Sequence, residues 1–175
     1  MKILICGFSG AGKTTWLKFL AENHGSHGQF KFFDLDHLIS QNLAVSPNEL
    51  GQKIEEIGEF SFREIEYKTL MEKLTSELEF VLSLGGGALN EEVLKFIREN
   101  NQSIKLVFLN EEFDICYDRI KNDPNRLLSK LSENELKKLY LKRLDQYSQA
   151  DLIVQPSDRK LIDGLDRLVH TLSMI

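Results

Sequence analysis

The sequence predicts an α/β fold in which a parallel sheet of about five strands is covered by helices on both faces. Apolar runs of strand length alternate with amphipathic helical stretches from end to end, and the first run leads straight into a glycine-rich turn and a helix. No internal repeat or low-complexity block interrupts that alternation. At 175 residues the chain is long enough for one full core and too short for two ordinary ones, so one domain is expected.

Composition narrows the function classes. With 42% hydrophobic and 28% charged residues and only three prolines, the chain reads as a globular protein and not a disordered tail. Its formal charge of -5 argues against a general nucleic-acid or anionic-membrane surface, which clustered Lys and Arg would carry. The two cysteines, Cys6 and Cys116, fall in an expected core strand and an expected helix, without a C-x-x-C pair or a secretory signal. Both read as buried thiols, and a reducing cytoplasm is the expected compartment. The longest apolar runs are of strand length, so none is expected to span a bilayer.

The first strand, Ile3-Leu4-Ile5-Cys6, precedes Gly7-Phe8-Ser9-Gly10-Ala11-Gly12-Lys13-Thr14, which satisfies G-x-x-x-x-G-K-[ST] at every fixed position. Thr14 to about Leu20 reads as the start of a helix. Strand, turn and helix in that order make a phosphate cradle: freed backbone N–H groups wrap a β-phosphate, the positive helix end faces it, and Lys13 reaches toward a γ-phosphate. The Thr14 hydroxyl is placed to hold Mg²⁺. The following loop, Glu22 to Gly28, carries His24 and His27, but with no third ligand nearby it reads as solvated.

Phe30 to Asp34 is the second strand, with Asp34 and Asp36 straddling Leu35 at its end. A metal held against phosphates needs a carboxylate at the carboxyl end of a neighbouring strand. The strands Phe80–Leu84, Leu106–Leu109 and Leu152–Val154 end in glycine, Asn110 and Gln155, which leaves Asp34 and Asp36. Capping of a helix beginning near Leu38 explains one aspartate but not both.

Pro47 to about Ile57 and Ser61 to about Leu78 read as two helices separated at Gly58. Arg63 stands three residues before Glu66, the spacing of a helix-surface ion pair. The third strand, Phe80 to Leu84, runs into Gly85-Gly86-Gly87-Ala88. Three consecutive glycines cost backbone entropy and pack nothing; a flexible turn is one reading, but at the end of a core strand a ligand lying against bare backbone is favoured.

Asn90 caps the next helix, which carries Glu91 and Glu92 in its first turn. Ile104 to Leu109 is the fourth strand and Glu111 to about Lys121 a helix containing Arg119. Asn122 to Lys130 is polar, turn-prone and without a clear period, carries Arg126, and reads as a lid. Ser132 and Glu135 form a capping box for a helix that runs to about Tyr147 and presents Arg143. Leu152 to Gln155 is the fifth strand, and after Pro156 the last helix brings in Leu161, Ile162, Leu165, Leu168 and Val169.

Taken together, these residues resemble the shikimate kinases, within the nucleoside-monophosphate-kinase branch of the P-loop proteins. Beyond the phosphate loop, the resemblance rests on Asp34-Leu35-Asp36, on Gly58-Glu59 with Phe62-Arg63 and Glu66, and on Gly85-Gly86-Gly87. It continues through Arg126-Leu127-Leu128 and through Arg143 and Tyr147 with Ala150-Asp151. These signatures stand in the family's order and cover nearly the whole chain. The resemblance implies a three-layer α/β/α P-loop kinase fold with a mobile lid at about 121–133 and a helical substrate-binding segment at about 34–62.

It also implies an activity: phosphorylation of the 3-hydroxyl of shikimate by ATP, with Mg²⁺, in aromatic amino-acid biosynthesis. Gly10, Ala11, Gly12, Lys13, Thr14, Thr15 and Arg126 would then bind ATP, with Arg119, Pro156 and Arg159 toward the adenine. Arg63 and Arg143 would grip the shikimate carboxylate, the three glycines Gly85, Gly86 and Gly87 would offer bare backbone, and Asp36 would hold the acceptor hydroxyl and accept its proton. Thr14 and Asp34 would order the metal, and Lys13, Asp36 and Arg126 would be the catalytic set. A monomer is expected.

The chain departs from the family at Leu127, where the lid arginine is usually followed by proline, at Ser40 after Ile39, and in a longer Asn23 to Gly28 loop. Two other readings are a kinase of another small hydroxy-acid of the gluconate type and a regulatory ATP-binding module. A GTPase switch lacks its N-K-x-D motif here.

Overall fold

The apolar runs form five parallel strands, β1 (Lys2–Cys6), β2 (Lys31–Asp34), β3 (Phe80–Ser83), β4 (Ile104–Leu109) and β5 (Leu152–Val154), in the order β2-β3-β1-β4-β5. The computed structural model describes residues 1–100, 102–123 and 126–175, so Pro124 and Asn125 of the expected lid lie outside the described residues. Because strand side chains alternate between faces, β1 feeds two cores. Leu4 and Cys6 join Leu82, Leu106 and Phe108 on one side, and Ile3 and Ile5 join Val81, Val107 and Val154 on the other.

Eight α-helices among the described residues cover the sheet: α1 (Lys13–Glu22), α2 (Leu35–Asn42), α3 (Leu50–Ile57), α4 (Glu59–Leu74), α5 (Glu91–Glu99), α6 (Phe113–Lys121), α7 (Glu133–Tyr147) and α8 (Leu165–Ser173). Trp16, Leu17 and Leu20 of α1 and Leu165, Leu168 and Leu172 of α8 pack on the Ile3 face. Phe62 and Leu70 of α4, Val93 and Ile97 of α5, Cys116 of α6 and Tyr147 of α7 pack on the other. The expected two-sided covering is therefore present, and none of the helices among the described residues is long and apolar enough to cross a membrane.

Side-chain capping explains three of the α-helix starts among the described residues. The Asn90 side chain accepts from Val93 N–H at 2.9 Å, and Ser132 with Glu135 closes the expected capping box. Helix α2 begins at Leu35 and not near Leu38, because the Asp34 carboxylate accepts from the N–H groups of Asp36 and His37 and initiates the helix at once. Gly58 breaks α3 from α4 at φ 84°, a conformation that a side chain disfavours.

Two expectations near the end of the chain need correction. A 3-10 turn at Asp158–Leu161 intervenes before α8, which starts only at Leu165 after Gly164, so Leu161 points outward and is 70% exposed. The stretch expected as an irregular lid contains a 3-10 turn at Leu127–Lys130, with Lys121 Nζ donating to the carbonyls of Ser129 and Leu131. The Asp151 carboxylate accepts Leu106 N–H at 2.7 Å and fastens the start of β5 to β4.

Leu4 sits at the centre of the sheet with no exposed surface. Leu4→Ala is expected to lower unfolding stability by about 3 kcal/mol, measured by urea titration, through lost burial and the cavity left behind.

Candidate active site

The strand order brings the chemically marked segments to one edge. β1 leads into the glycine-rich loop, its neighbour β3 leads into Gly85 to Gly87, and β2 beyond it ends in Asp34, with Asp36 in the first turn of α2; Ser83 pairs with both Ile5 and Asp34 across the ladder. Ligands of open α/β sheets bind at this carboxyl edge. The cleft there has a volume of about 1530 Å³, and its walls include Lys13, Asp36, Arg63, Arg126 and Arg143. That is larger than the usual single-ligand pocket and suits two molecules side by side.

At the loop end, Gly12 takes φ 91° and opens helix α1 directly at Lys13. The Lys13 ammonium is buried and donates to the carbonyls of Gly7 (2.9 Å) and Phe8 (3.0 Å). Burial pulls its pKa down from the usual lysine range, while the charges of Asp36 and Asp34 act in the opposite direction. Gly10, Thr14 and Thr15 line the cleft. Ala11 is fully buried and its N–H donates to the Phe8 carbonyl at 3.1 Å, a bond within the loop.

Thr14 Oγ1 donates to Asp34 Oδ2 at 2.7 Å, so this carboxylate caps α2 with one oxygen and meets the loop with the other. A hydroxyl and a carboxylate side by side are hard oxygen donors, which fits a Mg²⁺ that takes its remaining ligands from phosphates and water. No cluster of three or more His, Cys, Asp or Glu suited to a metal occurs among the described residues.

Three more arginines reach the loop. Arg126 donates from Nη1 to Ser9 Oγ (2.7 Å) and from Nε to Asp123 (2.9 Å), which anchors the beginning of the 3-10 turn on the glycine-rich loop. Arg119 donates to the Gly10 carbonyl at 2.7 Å, and Arg159 to the Asn110 carbonyl at 2.8 Å. Both line the cleft, whereas Pro156 is exposed and stands outside its lining. The structure thus brings Arg119 and Arg159 together and leaves Pro156 apart from them.

At the other end the glycines show why they are glycines. A Cβ on Gly87 would lie 2.7 Å from both terminal nitrogens of Arg63 and 2.9 Å from one of Arg143, so the two guanidinium groups converge on bare backbone. A Cβ on Gly86 would meet Ser9 N at 3.2 Å and Arg143 at 3.4 Å, which puts this pair beside the loop mouth. One on Gly85 would meet Glu66 at 2.8 Å and Asp36 at 2.9 Å. Tyr147 donates its hydroxyl to the Gly86 carbonyl at 2.5 Å, and Arg143 lies over the Phe8 ring.

Arg63 also makes the ion pair its spacing suggested, to the buried Glu66 at 2.5 Å. Burial pushes the Glu66 carboxyl up, against the pull of Arg63. Asp36 faces the open cleft, yet the protein crowded around its carboxyl strips solvation, and Asp34 and Glu66 add like charge. Together they push its pKa up to about 6 although Lys13 and Arg126 oppose the shift. A carboxylate poised near neutrality beside a buried cation is suited to accepting a proton from a bound hydroxyl.

Sequence reasoning missed two contributors. Ser9 occupies a free position of the loop motif, where nothing marks its hydroxyl as a partner for Arg126. Glu111 looked like the first acid of a helix; it instead precedes α6 with its carboxylate buried between Arg119 and Arg159.

A family model described as Shikimate kinase matches residues 9–173. The shikimate kinase of Chlorobaculum parvum is 35% identical over 179 aligned positions, covering 96% of this chain and 90% of its own length. That of Persephonella marina is 34% identical over 155 positions, covering 86% and 85%. Among solved structures, the shikimate kinase of Acinetobacter baumannii in complex with shikimate superposes with a TM-score of 0.78 at 28% identity, covering 99% of this chain and 93% of that one. With the family model spanning nearly the whole chain and the converging loop, acids and arginines in place, this chain belongs to the shikimate kinase family.

Proposed function

We propose that the chain transfers the γ-phosphoryl group of ATP to the 3-hydroxyl of shikimate, giving shikimate 3-phosphate and ADP, a step of aromatic amino-acid biosynthesis. The observation that carries this reading is the meeting of Arg63 and Arg143 on Gly87, beside Ser9 of the phosphate loop. Two planar cations aimed at one point form a bidentate receptor for a carboxylate. Asp36, next to Gly85, is within reach of a ring hydroxyl of the same molecule.

In this reading the chain acts as one domain, with the acceptor seated on residues 34–62 and the segment 121–133 closing over the phosphates. The acceptor hydroxyl oxygen attacks the γ-phosphorus in line, the bond from that phosphorus to the β,γ-bridging oxygen breaks, and ADP leaves. Asp36 takes the hydroxyl proton. Lys13 exchanges its loop carbonyls for phosphate oxygens, and Arg126 swings from Ser9 onto the transferred group; each such donor is worth about 2 to 4 kcal/mol of transition-state stabilisation. The N–H groups of Gly10 and Gly12 and the N-terminus of α1 hold the β-phosphate, Thr15 lines its far side, and Arg119 and Arg159 border the base. Mg²⁺, held by Thr14 and Asp34, would neutralise charge on the β- and γ-phosphates.

Several measurements test these assignments. Shikimate, and not gluconate, should drive ADP release in a coupled assay with this chain and Mg-ATP; equal rates with gluconate or no response to shikimate would refute the reading. Arg143→Ala should raise KM for shikimate by about tenfold or more with a smaller change in kcat, since it removes a binding fork and not a phosphoryl contact.

Asp36 gives a prediction about stability as well. Its folded carboxyl holds a proton between about pH 4 and pH 6 that the unfolded chain releases, so stability falls as pH rises through that window. Asp36→Asn removes this penalty: its melting temperature should exceed that of the unsubstituted chain at pH 7.5, and the gap should close toward pH 4. Turnover should fall by about 100-fold or more.

A further inference from the structure

We infer that Glu111 is a positioning residue for nucleotide binding, holding Arg119 and Arg159 together over the phosphate loop. This rests on the reading that the loop end of the cleft takes ATP.

The Glu111 side chain is only 4% exposed, and one of its oxygens, Oε2, accepts from Arg159 Nη1 at 3.1 Å and from Arg119 Nη1 at 3.3 Å. The two arginines come from distant parts of the chain, one from the last turns of α6 and the other from the 3-10 turn after β5. Each places a terminal nitrogen 3.9 Å from the point where a Cβ on Gly12 would stand. Two like charges converging on one glycine repel, and a buried carboxylate between them offsets that repulsion.

The surrounding contacts fix the carboxylate itself. The Glu111 backbone carbonyl accepts the Tyr140 hydroxyl at 2.9 Å, and Glu112 N–H donates to Oε1 at 3.3 Å. Arg119 bonds the Gly10 carbonyl and Arg159 the Asn110 carbonyl, so each guanidinium is held at two points. Arg119 keeps about half of its side chain exposed toward the cleft. Glu111 therefore orders two cations before nucleotide arrives, and affinity gained that way comes from a smaller ordering cost on binding.

The test is ADP binding by calorimetry, with steady-state kinetics on the same preparations. Glu111→Ala should weaken ADP binding about tenfold and Glu111→Gln, which keeps the shape and loses the charge, by a few-fold. In kinetics the loss should fall on KM for ATP, leaving kcat and KM for shikimate nearly level. Adding Glu111→Ala to the Arg119→Ala, Arg159→Ala double variant should cost nothing further, because no guanidinium remains to be held. A purely structural role would lower the melting temperature yet leave ADP affinity unmoved.

The proposal is overturned if folded Glu111→Gln and Glu111→Ala bind ADP within twofold of the unsubstituted chain, or if the loss persists undiminished in the double-variant background. Should Glu111→Ala not fold, Glu111→Gln alone decides. Failure of the unsubstituted chain to turn over shikimate would instead strike the proposed function, and the ADP titrations would still read out Glu111.

Discussion

The strip of bare backbone from Gly85 to Gly87 is the constraint on which the site depends. Three residues in a row without side chains let two acids, two guanidinium groups and the phosphate loop approach one short segment from different elements. The strip can do this because it follows β3, which runs between the strand that ends in the loop and the strand that ends in the aspartates. A methyl group at the last of the three would fall within 3 Å of both arginines. The entropic cost of the glycines is thus set against the close approach of these side chains, which a Cβ at Gly85 or Gly87 would force to shift.

The charges that gather there are individually unfavourable. Lys13 is buried and pulled toward neutrality, Asp36 is raised by its neighbours, and Glu66 loses solvation beside Arg63. Each is tolerable because an opposite charge is close, and the hydrophobic layers on both faces of the sheet hold the elements that carry them. Chemical readiness at this edge is therefore held against a cost in stability that the rest of the fold supplies.

Much of this was legible in the chain itself. The alternation of Ile3 and Ile5 with Leu4 and Cys6, the complete loop motif, and the caps at Asn90 and Ser132 each have a local physical cause that a sequence displays. Asp34, Asp36, Arg63, Arg143 and the glycines came into view through their order, which resembles that of a family, and the structure brings them together. Glu111 and Ser9 were hidden for the opposite reason. An acid ahead of a helix and a free position in a motif are ordinary locally, and their partners lie far along the chain. Leu161 was misplaced because apolar spacing alone cannot show that a 3-10 turn delays the helix.

The double bond of Asp34, one oxygen to the start of α2 and the other to Thr14, ties two properties to a single side chain. Asparagine there would preserve helix initiation and surrender the negative charge; glutamate would keep the charge and carry it away from the helix end. The start of α2 and the contact to Thr14 therefore share one side chain, and aspartate alone combines that reach with a negative charge.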